Sequence, residues 1–421
     1  MTLNRRPRPT SDDRELRLWK VGRVLALAFG AAVLVAGGVF YGLVYLLDFQ
    51  EINTTKKLDA TTLFDLVKLS FGVVAGAGAL VALVVAYRRQ RVDEAGAHRE
   101  ATRLHTERFS QAVDKLGSDS PAVRLGGVHA LAGLADDAPD DTLRQTCIDV
   151  LCAYLRLPFS SDPGDLPDPL PDGTSPSEER RDAHQDKTDR YHAFREVRHT
   201  ILRLIGDHYR IPKGTHRSWQ SCNLDLTRVT IDGNMDFTGA VFSSGTVTFY
   251  GATFSDGSVN FGHATFSGGS VDFGGATFSG GSVNFGVATF SGSSVGFGGV
   301  TFSGGSVNFD DATFSYGLVT FGSATFSGSS MTFRRATFSE GIVLFSGATF
   351  SSGSMTFDGA TFFSGARFSG SSVLFYGATF SGGSVSFEAT TGPVPLGLLE
   401  AVGTPVPTEV RLRPDWPSPV P

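Results

Sequence analysis

Two groups of side chains in this chain could do chemistry. His192 and His199 lie seven residues apart on nearly one face of the segment Tyr191 to Tyr209, which carries Phe194, Val197, Ile201, Leu202 and Ile205 at helical spacing. Two imidazoles could begin a metal site, but such a site needs more ligands, and none stands at suitable spacing. The pair therefore reads as part of an ordinary amphipathic helix. Cys147, Cys152 and Cys222 show neither a disulfide framework nor metal-ligand spacing, and read as half-buried free thiols of a reducing compartment. No phosphate loop and no His, Asp and Ser constellation is present. No catalytic, cofactor or metal residue is assigned, and no cofactor is expected.

The elements that would position any site fall into three kinds. Val24 to Leu47 and Leu69 to Tyr87 are uncharged and apolar, each reaching the roughly 20 residues that a helix needs to cross a bilayer. Arg5, Arg6, Arg8, Arg14, Arg17, Lys20 and Arg23 precede the first stretch, and Arg88, Arg89 and Arg91 follow the second. That bias predicts a multi-pass plasma-membrane protein with both termini cytoplasmic. Gly38-Val-Phe-Tyr-Gly42 and Gly72-Val-Val-Ala-Gly76 are small-xxx-small patterns, which make Gly38, Gly42, Gly72 and Gly76 candidate helix-packing positions, within the hairpin or between two copies of the chain. No ionisable residue lies mid-span, which argues against a transporter or channel.

Residues 93–157 read as helices broken at Gly117 to Pro121. Ser120 is placed to cap and Pro121 to start a helix in which Arg124-Leu-Gly-Gly127 lets a neighbour approach closely.

From Phe237 to Phe387 the sequence cycles as Ala-Thr-Phe-Ser-Gly-Gly-Ser-Val-Asn-Phe-Gly-Gly, with phenylalanines alternately five and seven apart and a slip of six at Phe368. This stretch holds 27 of the 35 phenylalanines, so the aromatic content is almost a property of the repeat. A fixed short period means a solenoid. In extended backbone, Ala264 and Phe266 point to one side, as do Val271 and Phe273, with Thr265 and Asp272 facing water. Phe254, Phe261, Phe266, Phe273, Phe278, Phe285, Phe290 and Phe302 are thus core residues, and the Gly and Ser clusters are corners.

A small residue, any residue, then Phe, as in Ala252-Thr-Phe254, Val259-Asn-Phe261 and Ala264-Thr-Phe266, resembles the pentapeptide-repeat family over residues 224–388. The resemblance implies a right-handed quadrilateral β-helix. The alternate intervals of seven depart from the family's five and would give 24 residues per coil and roughly six coils. A flatter solenoid with twelve residues per turn is the alternative. The order of two spans, a helical module and repeats also resembles a group of actinobacterial membrane proteins of unassigned role.

The resulting expectation is a membrane-anchored α plus β-solenoid chain. Residues 1–20 are a basic tail, 21–90 a two-helix transmembrane hairpin, 91–158 a HEAT-like helical module and 159–189 a flexible linker. Residues 190–221 are a helix and cap, 222–390 the repeat β-helix, and 391–421 a proline-rich disordered tail. A non-catalytic scaffold or protein-interaction module fits best, with the lipid bilayer, an unidentified protein and a second copy as partners. Some pentapeptide-repeat proteins mimic DNA toward topoisomerases, which is the alternative. Between Cys222 and Glu388, however, ten acidic residues against four arginines leave a charge density far below that of a duplex, and no nucleic acid is expected as a partner. Arg334, Arg335, Asp310 and Asp311 interrupt the neutral surface and read as drift at exposed positions rather than a docking patch.

Overall fold

The computed structural model describes residues 60–159, 162–167, 175–255, 257–339, 341–362 and 372–418, with a few helical positions between 27 and 38. The chain divides into two units, Met1–Glu100 and Ala101–Pro421. Helix α1 (Ala60–Leu116) continues through residue 90, so the expected boundary between hairpin and helical module is no break in secondary structure. Its first part exposes Leu69, Leu80, Leu83, Val84 and Val85. Among the described residues, no helix is long and apolar enough to cross a membrane. The two expected spans are therefore not shown. Most of 24–47 lies outside the described residues, and so do several side chains between 62 and 74.

In the second unit, the end of α1 packs with α2 (Pro121–Asp136), α3 (Asp141–Arg156) and α4 (Glu178–Arg210). Pro121 starts α2 directly after an extended Ser120, although the Ser120 side chain makes no cap bond. Asp140 does cap α3, accepting from the Leu143 N–H at 2.9 Å. The close approach expected of Gly126-Gly127 is real at Gly127 alone, where a Cβ would stand 2.7 Å from the Leu116 nitrogen. The linker is shorter than expected. Ser177 caps α4 with Glu178 and Glu179 in its first turn, so the end of the 159–189 segment is helical.

The described residues between 224 and 411 form a parallel β-solenoid of short strands. The register settles the coil length. Thr253 pairs with Thr277, Thr277 with Thr301, Thr301 with Thr325 and Thr325 with Thr349, an advance of 24 residues each time. Twelve residues cannot close a coil, because each strand meets its own copy two repeats on. One face is a stack of seven strands from Thr230–Ile231 to Thr379–Phe380, so there are seven coils rather than six. The first coil is one residue short, with Leu224 against Val247. Phe368, where the period slips, lies outside the described residues; on either side of it Val343 pairs with Val373 and Met355 with Val385, each thirty residues on.

In the regular coils each of the four faces buries an Ala, Val or Met and a Phe, whereas the first coil has Leu226 and Ile231 in two of the Phe places. Like rings stack along the axis, with Phe261 and Phe285 at 5.0 Å, Phe266 and Phe290 at 4.8 Å, Phe273 and Phe297 at 4.9 Å and Phe278 and Phe302 at 5.1 Å. These distances match strand spacing, so the ring ladder and the backbone hydrogen bonds share one pitch.

Where the phenylalanines are five apart, the corner is tight and its last residue before Ala is left-handed. Glycine fills that place at 251, 275 and 299, but Val287 occupies it at φ 60°. A β-branched residue there is strained by about 1–2 kcal/mol, and Val287 is 47% exposed, so it gains little from burial. Val287→Asn is expected to raise the melting temperature by a few degrees, read by circular dichroism against Val287→Ala, which keeps the strain.

The proline-rich end is not a disordered tail. Thr391 bridges to Thr361 and Leu396 to Leu374, and a short helix, α5 (Leu398–Val402), buries Leu398 and Val402. Val410–Arg411 then adds a strand beside Val385 and Ser386, and Trp416 reaches Phe387 at 5.9 Å. Prolines mark the ends of these segments, and the open edge of the last coil is covered instead of left to template another strand.

Candidate interaction surface

The front edge of the solenoid is closed by side chains of α3 and α4. Gln145 accepts from the Asn223 N–H at 2.9 Å and donates to its carbonyl at 2.8 Å. Arg198 donates to the Thr230 carbonyl at 2.8 Å, and Arg195 to that of Asp232. Arg210 reaches two carbonyls, Thr238 at 2.8 Å and Asp236 at 2.9 Å. These oxygens have no coil in front of them to bond, so the guanidiniums replace the missing strand donors. Helices and coils share one continuous apolar core, with Tyr209 against Phe242 at 5.1 Å.

Asp232 is the hinge of this cap. Its carboxylate accepts from the Tyr191 hydroxyl at 2.6 Å and pairs with Arg195 at 3.2 Å, and His199 Nε2 stands 3.6 Å away. Burial works to raise its pKa, but His199, Tyr191 and Arg195 outweigh it and hold the carboxyl at about 2. A depressed carboxylate contributes stability that is complete above its ordinary value near 4 and is lost as pH falls through 2. Hydrogen exchange in Leu224–Asp236 is therefore expected to quicken between pH 4 and 2 relative to the middle coils, and Asp232→Asn should remove that difference.

His199 belongs to the cap, whereas His192 is exposed with its ring edge-on to Tyr191 at 5.3 Å. Among the described residues no group of three or more His, Cys, Asp or Glu could hold a metal ion. All three cysteines are free and buried. One contact had no signal in the sequence spacing: Cys147 Sγ lies 3.8 Å from His105 Nε2, 42 residues earlier, beside a cavity of about 520 Å³. Burial raises the thiol to about 11 and lowers the imidazole. Both are neutral near pH 7, the opposite of the thiolate–imidazolium pair that a cysteine nucleophile needs.

The eight core phenylalanines assigned from sequence are all at most 4% exposed. Gly38, Gly72 and Gly76 are helical, with open space where a Cβ would stand, and Gly42 lies outside the described residues.

The recurrent polar side chains are spent between coils. Asn284 donates to Asn260 at 2.9 Å and Asn308 to Asn284 at 3.1 Å, while Asn260, Asn284 and Asn308 each also accept from the backbone N–H two residues on. Arg335 grips Asp311 with two bonds, at 2.8 and 2.6 Å, and Asp310 accepts from the Arg334 N–H at 2.9 Å. The charged residues that seemed to interrupt the surface are neighbours 24 apart on one corner. Their mutual bonds hold the Asp311 carboxyl below its ordinary value.

The two tight corners of a coil differ. One carries His263, Val287, Asp310, Asp311, Arg334 and Arg335. The other is nearly bare, with Gly274-Gly275, Gly298-Gly299 and Gly322-Ser323 in register below the exposed Tyr250 and above the exposed Tyr376. The Tyr250 ring lies against Gly274, where a Cβ would meet it at 3.2 Å.

The model of one protein family, described as pentapeptide repeats (9 copies), matches residues 226–277. A comparison with curated proteins finds no match. The matched residues make up the front of the tract, and the described strands beyond them stay parallel, with register shifts between Thr289–Gly296 and Thr313–Thr320 and a thirty-residue step to Val373; the tract is a parallel β-solenoid whose front coils match the pentapeptide-repeat model.

Proposed function

We propose that this chain is a membrane-anchored, non-catalytic scaffold whose solenoid offers a protein-binding surface on the cytoplasmic side. The observation that carries this reading is the fate of the recurrent polar groups: Asn, Ser, Asp and Arg side chains bond one another or turn backbone along the stack, leaving shape and a rigid surface as what the tract presents. Solenoids serve as extended binding faces in general. Anchoring rests on the two uncharged apolar stretches and the arginines that flank them. The DNA-mimic alternative is weakened by the pairing of acidic groups, since Asp225, Asp232, Asp236 and Asp311 each face an arginine.

The last lysine is Lys213, so amine crosslinkers cannot report on the coils. Photo-reactive residues at positions 250, 334 and 376 of the full chain, followed by purification from membranes, are the suitable test. Reproducible capture of one protein from these positions, and not from position 107 on α1, is expected. Capture from position 107 and not from the coil positions would move the binding function off the solenoid, and recovery of the chain in the soluble fraction after alkaline carbonate washing would refute the anchor.

A further inference from the structure

A second cavity, of about 720 Å³, lies between α2, the segment after α3, and α4, and includes Arg124, Lys187, Arg190 and Arg198 with the rings of Phe159 and Phe194 in its wall. This volume is in the range of sites for small organic ligands. Four cations converge there in a chain of net charge −6, and among the described residues none of the four makes an ion pair. Arg198 is only 4% exposed; its guanidinium has one carbonyl partner, Thr230, and lies 4.8 Å from the Phe159 ring. Arg124 lies 4.6 Å from the Phe194 ring and donates to the Ser118 carbonyl and, at 3.2 Å, to the Tyr154 hydroxyl. Arg198 is the one buried cation of the four, and a buried cation is costly unless an anion offsets it. Asp232 acts on Arg198 only through space, because its oxygens are bonded to Tyr191 and Arg195.

We infer that this cavity binds a small organic anion bearing phosphate groups and a flat ring, the chemistry of a nucleotide. The phosphates meet Lys187 and Arg190 at the open side, and the ring packs on the apolar wall formed with Leu157 and Pro158. The site is independent of the proposed scaffold surface, which lies on the coils.

The test uses the detergent-solubilised full chain and three probes: a fluorescent adenine nucleotide, inorganic pyrophosphate and phosphatidylglycerol vesicles. Lys187 and Arg190 are exposed, so Lys187→Ala/Arg190→Ala keeps the fold, which an unchanged melting temperature verifies. Saturable nucleotide binding that weakens at least tenfold in the double variant and with added salt is the expected result. No saturation at millimolar nucleotide, affinity unchanged in the double variant, pyrophosphate bound as tightly as the nucleotide, or binding to vesicles alone would each overturn the inference.

Discussion

Gly281→Ala is expected to destabilise the solenoid by about 4 kcal/mol or more, while Gly275→Ala costs about 1 kcal/mol, although both glycines are left-handed. The φ angles are nearly equal, 68° and 63°, so conformational strain is the same in both variants. The difference is space. A Cβ on Gly281 would stand 2.1 Å from the Gly257 carbonyl oxygen, whereas one on Gly275 meets nothing within 4 Å. The obstacle is backbone of the preceding coil, which cannot rotate away as a side chain could. Gly305 repeats the arrangement over Gly281 at 2.2 Å, and Gly353 over Ser329 at 2.0 Å. The native chain shows what a side chain in these columns requires. Where Ser293 replaces the glycine, the positive φ moves one residue earlier to Gly292, the strand lengthens to Thr289–Gly296, and the hydroxyl bonds the Phe266 carbonyl at 3.0 Å. Urea denaturation of the two alanine variants separates the terms. Equal losses would mean that coils can slide apart at this corner and that strain alone sets the cost.

The period of twelve was legible at once, but the coil of 24 was not, and the reason is physical. Phenylalanine recurs in nearly the same way at both lengths, so the core pattern is degenerate. The information that breaks the tie sits in exposed positions. His263, Val287, Asp311 and Arg335 recur every 24 residues on one corner, while Gly275 and Gly299 hold the other. Asp311 and Arg335, read from sequence as drift, are in fact the pair that reports the coil length. The caps were less legible still. Arg195, Arg198 and Arg210 lie on a helix whose sequence shows only amphipathicity, and their carbonyl partners are chosen by how the helix lies across the first coil. At the other end, proline content suggested disorder, whereas pairing of Val410 with Val385 depends on a contact that no local pattern encodes. The candidate ligand cavity draws its cations from two helices, with Arg124 more than sixty residues before Lys187, which spacing cannot reveal.

Phe285→Ala is expected to cost about 3–5 kcal/mol and to split unfolding into two transitions. Phe285 is fully buried at mid-stack, with Phe261 at 5.0 Å on one side and Phe309 at 4.8 Å on the other. The edges of Phe273 and Phe297 close the ring in at 6.4 and 5.6 Å. With Phe266 and Phe290 tilted against it at 6.3 and 6.2 Å, removing it leaves a cavity lined by six rings that are locked to the strand pitch and cannot collapse inward. Because each coil touches only its neighbours, stability is a sum of coil and interface terms, and losing one central interface uncouples the front coils from the rear ones. The front half keeps the α4 cap and the rear half keeps α5 and the Val410 strand, so each retains a covered end. Phe380→Ala is the contrasting variant. That ring is only partly buried near the end of its ladder, 5.1 Å from Phe350, and its loss should cost less and leave one transition. Calorimetry on both variants, with hydrogen exchange to assign the halves, checks the expectation. A single transition and a loss near 1 kcal/mol for Phe285→Ala would mean that the coil-to-coil hydrogen bonds, and not the phenylalanine ladders, make the solenoid cooperative.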